Sequence, residues 1–234
     1  MAKKLVYILF VILSLRGYTQ SKPPNLPYLD DEPFRFGIAL GYSQLYSNMV
    51  GKQNLPYLDS IMSYKANEGM GFQIGIITDL RLHRFVNLKF IPTVCFSERD
   101  FEYSVKHGMQ LIKNKKNMEV IYIEVPLELN IKSKRWYNMR PYIITGIKYS
   151  YDAGSIKRKK LSEDEYLFKI EPNELFYTLG AGCDFYLPFF KLGVELKTSF
   201  GLNDILEHSY NTVYSDCLDK IKSQIFYINF NFSI

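Results

Sequence analysis

The chain has 234 residues, of which 47% are hydrophobic, 16% aromatic and 23% charged, with a formal net charge of +5. This length suits one or two domains, and the apolar content is too high for a disordered chain. Beyond the N-terminus there is no run of apolar residues long enough for a spanning helix, which excludes a bundle of transmembrane helices. A transmembrane β-barrel is not excluded, because its strands need only alternate apolar and polar residues.

Residues 1–19 have the pattern of a secretory signal peptide. Two lysines at positions 3 and 4 precede an apolar stretch over 5–15, which is too short to span a bilayer, and small residues stand at 17 and 19. Cleavage before Gln20 would lower the net charge from +5 to +2, so charge gives no argument for nucleic-acid binding. The four prolines in residues 20–33 predict a stiff, extended periplasmic lead-in.

The chain contains three cysteines, Cys95, Cys183 and Cys217, at spacings that match no zinc or redox motif. We predict that the cysteines are free thiols. Because export would permit a disulfide, a Cys95–Cys217 bridge is the alternative. We expect no metal and no cofactor.

From Phe34 onward, apolar and polar residues alternate with a period of two through eight segments. In the clearest segment, the alternate positions from Ile121 to Ile131 are all apolar, and Glu124 and Glu128 lie on the opposite face. Segments of roughly 9–13 residues suit a tilted membrane crossing. The pattern therefore predicts an all-β domain over 34–234, an eight-stranded antiparallel up-and-down transmembrane β-barrel.

The predicted linkers alternate in length, as they do in outer-membrane barrels. Starting from a periplasmic N-terminus, they predict four long extracellular loops and three short periplasmic turns. The long linkers are 47–70, 99–117, 152–173 and 203–222, and the short ones are 83–86, 133–138 and 187–189.

One face of the predicted strands carries nearly all of the strand charges, which reverses the pattern of a soluble lipocalin-like barrel. A Lys or Arg facing lipid at the bilayer midplane would cost about 2–4 kcal/mol. Because eight strands leave room only for side chains, we expect a plugged lumen that is not a diffusion pore. The predicted ion-pair network comprises Arg35, Asp79, Arg81, Lys89, Glu124, Glu128, Lys148, Asp184, Glu195 and Lys197.

Aromatic residues cluster at both predicted membrane borders, which indicates two aromatic girdles. The girdle toward the loops comprises Tyr42, Phe72, Phe96, Tyr149, Tyr177, Phe200 and Phe226. The girdle toward the turns comprises Phe34, Trp136, Phe185, Phe190 and Phe232.

Catalytic patterns are sparse, so we predict that the protein is not an enzyme and has no small-molecule substrate. The three histidines, His83, His107 and His208, have no serine or carboxylate at a triad spacing. The basic run 157–160 suits lipopolysaccharide phosphates or an acidic partner, although the acidic residues that follow at 163–165 equally favour a solvated, self-compensating loop. The hexapeptide Asn-Leu-Pro-Tyr-Leu-Asp occurs twice, at 25–30 and 54–59.

Several segments resemble the PorT family of outer-membrane β-barrels. The segments that resemble its opening and its second and third strands are 25–31, 33–37, 71–77, 80–82, 88–92, Phe96 and 98–99. Residues 122–129 and 140–142 are similar to strands four and five of the wider outer-membrane β-barrel superfamily.

The resemblance implies a component of the type IX protein secretion system, linked in some bacteria to gliding motility. It implies export through a signal peptide to the outer membrane of a Gram-negative bacterium, where the partners are the lipid bilayer and other outer-membrane or periplasmic secretion components. The alternative function is that of a structural or adhesive small outer-membrane barrel with no role in secretion.

Overall fold

The computed structural model describes residues 23–51, 61–67, 69–107, 110–155, 171–205 and 218–234. The predicted signal peptide, the second hexapeptide copy, the basic run 157–160, His208 and Cys217 lie outside these residues. In the described part of the chain, no helix has the length and apolarity needed to span a bilayer.

The described residues form ten strands, and every pair of neighbouring strands is antiparallel. In chain order they are β1 (Phe34–Gly51), β2 (Ile61–Asn67), β3 (Gly69–His83), β4 (Val86–Phe90), β5 (Thr93–His107), β6 (Gln110–Lys132), β7 (Met139–Asp152), β8 (Asn173–Tyr186), β9 (Lys191–Gly201) and β10 (Leu218–Ser233).

The sheet closes on itself, because β1 pairs with β10 on one side and with β3 on the other. β4 and β5 lie end to end between β3 and β6, so that together they count as one of the eight strands of the barrel. β2 pairs with β5 near the end of the barrel at which the long connections lie. The predicted all-β, eight-stranded antiparallel barrel is confirmed.

The wall strand formed by β4 and β5 is interrupted at Ile91 and Pro92, since proline has no N–H to donate to a ladder. The carbonyl of Pro92 still accepts a hydrogen bond from the N–H of Ile76 at 3.1 Å. Side-chain alternation continues through the break, with Ile91 buried in the lumen and Pro92 exposed on the outside.

Two of the predicted long linkers contain regular strand, which corrects the sequence interpretation. Most of 99–117 is an extended hairpin, since β5 continues to His107 and β6 starts at Gln110. Residues 47–70 include the end of β1 and all of β2. The period of two in fact continues through Phe101, Tyr103 and Val105 in β5 and through Met62, Tyr64 and Ala66 in β2, so extending it would have found these strands. Only residues 113–117 at the start of β6 are polar at every position, and there hydrophobic periodicity gives no signal. The linkers 152–173 and 203–222 lie largely outside the described residues.

The barrel is apolar outside and polar inside. Along β6 the even-numbered residues from Val120 to Lys132 are buried, whereas the odd-numbered residues from Ile123 to Ile131 are exposed. Toward the long connections, a buried apolar cluster lies across the lumen. Its members are Leu45, Cys95, Val120, Tyr122, Phe176, Ile225 and Tyr227. We call this end of the barrel the loop end, and the opposite end, with the three short connections, the turn end.

Candidate functional site

The candidate site is the lumen, where the alternation of eight strands brings charged side chains from distant parts of the chain together. Arg81 departs from the predicted network: its side chain is partly exposed at the turn end and pairs with Asp31 at 3.0 Å. The other nine predicted residues are buried inside the barrel, namely Arg35, Asp79, Lys89, Glu124, Glu128, Lys148, Asp184, Glu195 and Lys197.

The central cluster contains two lysines and two glutamates. Lys89 Nζ lies 2.8 Å from Glu195 Oε1, and Lys197 Nζ lies 2.8 Å from Glu128 Oε1. Lys197 Nζ is also 3.5 Å from Glu195 Oε2, so the two pairs form one chain of charges. The hydroxyl of Tyr142 donates to Glu195 Oε1 at 2.8 Å. The cluster therefore has equal numbers of positive and negative groups.

A second cluster lies closer to the loop end. Lys148 Nζ is 2.7 Å from Glu124 Oε1, and the hydroxyl of Tyr227 donates to the same oxygen at 2.8 Å. The ammonium of Lys148 also lies 4.4 Å from the centroid of the Phe176 ring, a cation–π distance. Glu174, which the sequence interpretation did not include, accepts a hydrogen bond from the hydroxyl of Tyr122 at 3.1 Å.

The turn-end cluster is built around Asp79 and Asp184. Arg35 Nη2 contacts Asp79 Oδ2 at 2.8 Å. Lys132 and Lys191 each place Nζ 3.4 Å from Asp184 Oδ2, and both lie within 4 Å of Asp79 Oδ2. Three cations of the barrel wall thus face two carboxylates.

The N-terminal segment supplies a further carboxylate to this end of the lumen. Asp30 Oδ1 lies 3.1 Å from Arg140 Nη1 and 3.6 Å from Arg35 Nη1, and it accepts a hydrogen bond from the Tyr186 hydroxyl at 2.6 Å. Asp30 Oδ2 lies 3.6 Å from Arg135 Nη1. Asp30 therefore holds the segment against four side chains of the barrel.

The prediction of an extended lead-in is wrong for the described residues of that segment. Residues 25–31 form turns, in which the N–H of Asp31 donates to the carbonyl of Tyr28 at 2.9 Å and Leu26 has a φ of 48°. The side chain of Leu29 is buried, and its carbonyl accepts a hydrogen bond from Arg35. Charge pairing at Asp30 and burial of Leu29 fold the segment over the turn end.

The surroundings of Asp30 favour its ionised form. Partial burial opposes the charge, but the hydrogen bond from Tyr186 and the positive charges of Arg140, Lys132 and Arg35 outweigh it. The pKa of Asp30 is therefore lowered from its ordinary value of 3.8.

The sequence interpretation missed three cations of the turn end, Lys132, Lys191 and Arg140. Lys132 follows Glu128 by four residues on the same strand face, and Lys191 precedes Glu195 by four. Extending the period of two to the ends of the strands would have found both. Arg140 likewise lies two residues before Tyr142 on β7.

The predicted girdle residues lie on the outer surface of the barrel, ten of them on the outward face of a strand and two, Trp136 and Phe190, in connections at the turn end. Phe185, Phe190 and Phe226 are half-buried there, and Phe72 stacks on Phe96 with ring centroids 5.0 Å apart. Phe189, with 83% of its surface exposed, is an aromatic residue that the sequence interpretation did not include. The exposed members are Phe34, Tyr42, Phe72, Phe96, Trp136, Tyr149, Tyr177, Phe200 and Phe232.

Of the remaining candidate groups, the structure describes the side chains of His83, Cys95 and Cys183, which lie on three different strands, whereas the side chain of His107 lies outside the described part. His83 is exposed at the end of β3, where its Nδ1 accepts a hydrogen bond from the N–H of Phe85. Cys95 is buried beside Ser43, and both Cys95 and Cys183 are free thiols. Among the residues that the structure describes, no three His, Cys, Asp or Glu side chains are arranged to hold a metal ion.

The closed sheet, the apolar exterior and the ionic lumen together describe a membrane barrel. A family model for the outer membrane protein beta-barrel domain matches residues 18–207, most of the chain. The chain belongs to this family. Its location is therefore the outer membrane, with the apolar face of the barrel against lipid.

Solved structures of small outer-membrane barrels are similar in fold. Ail, the attachment invasion locus protein of Yersinia pestis, was crystallised with the heparin analogue sucrose octasulfate; it is 12% identical, with 87% of this chain and 100% of that chain covered and a TM-score of 0.38. OprG from Pseudomonas aeruginosa is 15% identical over 86% of this chain and 94% of its own, with a TM-score of 0.41. No curated protein matches the sequence.

Proposed function

We propose that this outer-membrane barrel is a non-enzymatic component of the type IX protein secretion system, required for export of cargo proteins but not itself the conduit. The observation that supports a barrel other than the conduit is its lumen. Paired charges fill it in three clusters, from Asp184 near the turn end to Glu124 near the loop end.

Among the described residues, the space between the central and loop-side clusters is small. Between the central and loop-side clusters, a cavity of about 20 Å³ is lined by residues such as Gln73, Lys197 and Asn229. That is room for about one water molecule. A polypeptide would have to break the buried ion pairs to pass, and breaking one such pair costs about 3–5 kcal/mol.

The secretion role rests on the resemblance to the PorT family. The segments that carry this resemblance include the N-terminal turns with Asp30 and the start of β1 with Arg35, whose Nη1 lies 3.6 Å from Asp30 Oδ1. These residues meet at or near the turn end, so this end of the barrel is the part on which a family-specific partner would act. We propose that it faces the periplasm and that the long connections are extracellular.

The proposal includes the processing and partners of the chain. Residues 1–19 are removed as a signal peptide after Sec-type export, residues 20–33 precede the barrel on the periplasmic side, and 34–234 form the barrel domain. The partners are the lipid bilayer, lipopolysaccharide at the extracellular connections, and other outer-membrane or periplasmic secretion components.

Deletion of the gene in the source bacterium tests the secretion role. We expect type IX cargo to accumulate inside the cell, and secretion to return when the wild-type chain or the exposed-surface control Lys222→Gln is supplied. Normal cargo secretion combined with altered envelope integrity or attachment would contradict the proposal and favour the structural or adhesive alternative. Lipid or peptide turnover by the purified barrel, abolished by changing His107 or His208, would contradict the non-enzymatic role.

A further inference from the structure

A cavity of about 300 Å³ lies at the turn end, beside the docked N-terminal segment. The short β3–β4 turn contributes Arg84 and Phe85, and the β6–β7 connection contributes Lys134 and Arg135. Because β4 and β6 are neighbours in the sheet, these two connections are adjacent on the rim. The remaining lining residues are Asp30, Asp31, Arg81 and Arg140.

Hydrogen bonds within the protein itself fix the shape of the cavity. Arg140 Nη2 donates to the carbonyl of Arg84 at 2.7 Å, and Arg140 Nε donates to the carbonyl of Ser133 at 2.9 Å. The N–H of Lys132 donates to the carbonyl of Phe85 at 2.7 Å. These bonds tie the two connections together and fix the spacing of the cations that they carry.

Positive charge dominates the cavity, with five cationic side chains against two carboxylates. Asp31 is paired with Arg81, and Asp30 with Arg135 and Arg140. Arg84 and Lys134 are exposed and have no carboxylate partner in the described part of the chain. The cavity therefore has charge left for an anion.

The position of the cavity indicates which anion it meets. Trp136 follows Arg135 directly and is 81% exposed, and Phe189 is similarly exposed in the β8–β9 turn. Exposed aromatic residues at the edge of a membrane barrel lie at the level of the lipid headgroups, where phosphates are concentrated. Arginine binds phosphate oxygens through two parallel N–H groups, and lysine adds a point charge.

We propose that this cavity binds the phosphate group of an anionic lipid headgroup, with Arg84 and Lys134 as its principal ligands. The inference depends on the outer-membrane location and on the rim geometry, and it is independent of the role in secretion.

Binding is tested with the purified full-length chain in detergent micelles, by native mass spectrometry with added dioleoylphosphatidylglycerol. Dioleoylglycerol, which lacks the phosphate, is the matched lipid. We expect retention of phosphatidylglycerol alone, and a loss of roughly fivefold in affinity for each charge removed in Arg84→Gln and Lys134→Gln. The charge-preserving variant Arg84→Lys/Lys134→Arg should retain binding, as should Lys222→Gln, whose exposed side chain lies on β10 toward the loop end.

Competition with inorganic phosphate shows whether the cavity binds a lipid headgroup specifically or any phosphate group. Displacement of the lipid by millimolar inorganic phosphate, dependent on Arg84 and Lys134, would assign the cavity to phosphate in general, and lack of displacement would assign it to the lipid. Equal retention of the two lipids, or wild-type affinity in Arg84→Gln/Lys134→Gln, would overturn the proposal. Both side chains are exposed, so the variants should fold, and heat-modifiable gel mobility checks this.

Discussion

The central cluster and the turn-end cluster are both ionic, but their charges balance in different ways. In the centre, Lys89 and Lys197 face Glu195 and Glu128, and every member comes from a strand of the barrel wall. At the turn end, four buried wall cations, Arg35, Lys132, Arg140 and Lys191, stand against only two buried wall carboxylates, Asp79 and Asp184. Asp30, the additional carboxylate, arrives from the N-terminal segment.

The difference shows which part of the lumen can form from the barrel alone. The centre is complete once the sheet closes, because its buried charges are matched within the wall. At the turn end the wall alone leaves an excess of positive charge, and docking of residues 25–31 reduces it by supplying Asp30, so the segment is part of the folded structure at that end. The first copy of the repeated hexapeptide thus has a structural role, which composition alone did not reveal.

The largest predicted effect follows from removing one charge of the central cluster. Glu195→Gln leaves Lys89 and Lys197 without one of their carboxylates in a site with almost no solvent exposure. We expect the free energy of unfolding to fall by about 3–5 kcal/mol, as measured by urea titration in lipid vesicles with a gel-mobility readout.

A double variant that removes both charges of a pair shows whether the destabilisation comes from an unpaired buried charge or from loss of the ion pair as such. Lys197→Met/Glu128→Leu removes a whole ion pair and should cost much less than a single change, because no buried charge is left unpaired. Equal destabilisation by the single and double variants would contradict the balance described for the centre.

A steric change next to the same cluster should have a smaller effect. A Cβ at Gly182 would lie 2.7 Å from Cζ of the Tyr142 ring, so Gly182→Ala displaces the phenol that donates to Glu195. We expect a loss of about 1–3 kcal/mol in the same titration. Ala181→Val, on the lipid face of the same strand, is the control and should be nearly neutral. Similar losses in both variants would show that Tyr142 is not held in this way.

Asp30→Asn should affect the turn end and leave the centre intact. The change removes the carboxylate shared by Arg35, Arg135 and Arg140, and we expect it to cost about 1–2 kcal/mol because the site is partly open to solvent. Hydrogen exchange should rise in residues 25–31 but not in β6 or β9. Asp31→Asn, at a carboxylate that is 73% exposed, is the control. Unchanged hydrogen exchange of residues 25–31 in Asp30→Asn would show that the charge of Asp30 does not hold the segment in place.

Acid should produce a weaker form of the same effect. The pKa of Asp30 in the folded protein is below the ordinary value of 3.8, so its ionisation stabilises docking fully above that value. The contribution is lost as the pH falls from 3.8 through the lower folded pKa. Hydrogen exchange of residues 25–31 should therefore be the same at pH 7 and pH 5 after correction for the intrinsic rate, and should increase near pH 3. An increase between pH 7 and pH 5 would implicate a different group.

The wall of the barrel could be predicted from the sequence because its side chains follow a simple period. The alternation from Ile121 to Ile131 predicts both the strand and the face that contacts lipid. The same period fails at the start of β6, where residues 113–117 are polar at every position, although it continues through Phe101, Tyr103 and Val105 at the end of β5. It also gives no warning of the break at Pro92, which leaves the alternation unchanged.

The turn end could not be predicted in the same way, because it depends on contacts between distant segments. Asp30 and Arg140 are 110 positions apart, and nothing in the sequence of either segment indicates that the two side chains meet. Asp30 also lies in a proline-rich segment whose composition favours an extended chain, and tertiary contacts overrule that preference. Lys132 and Lys191 follow the strand period but stand at strand ends, where sequence boundaries are least certain.

The most direct test of the closed lumen is single-channel recording from the purified full-length barrel in a planar bilayer at neutral pH. With the three charge clusters in place and the N-terminal segment docked, we predict no stable conductance above that of the bare membrane. A large, long-lived open state in the wild-type protein would contradict the account.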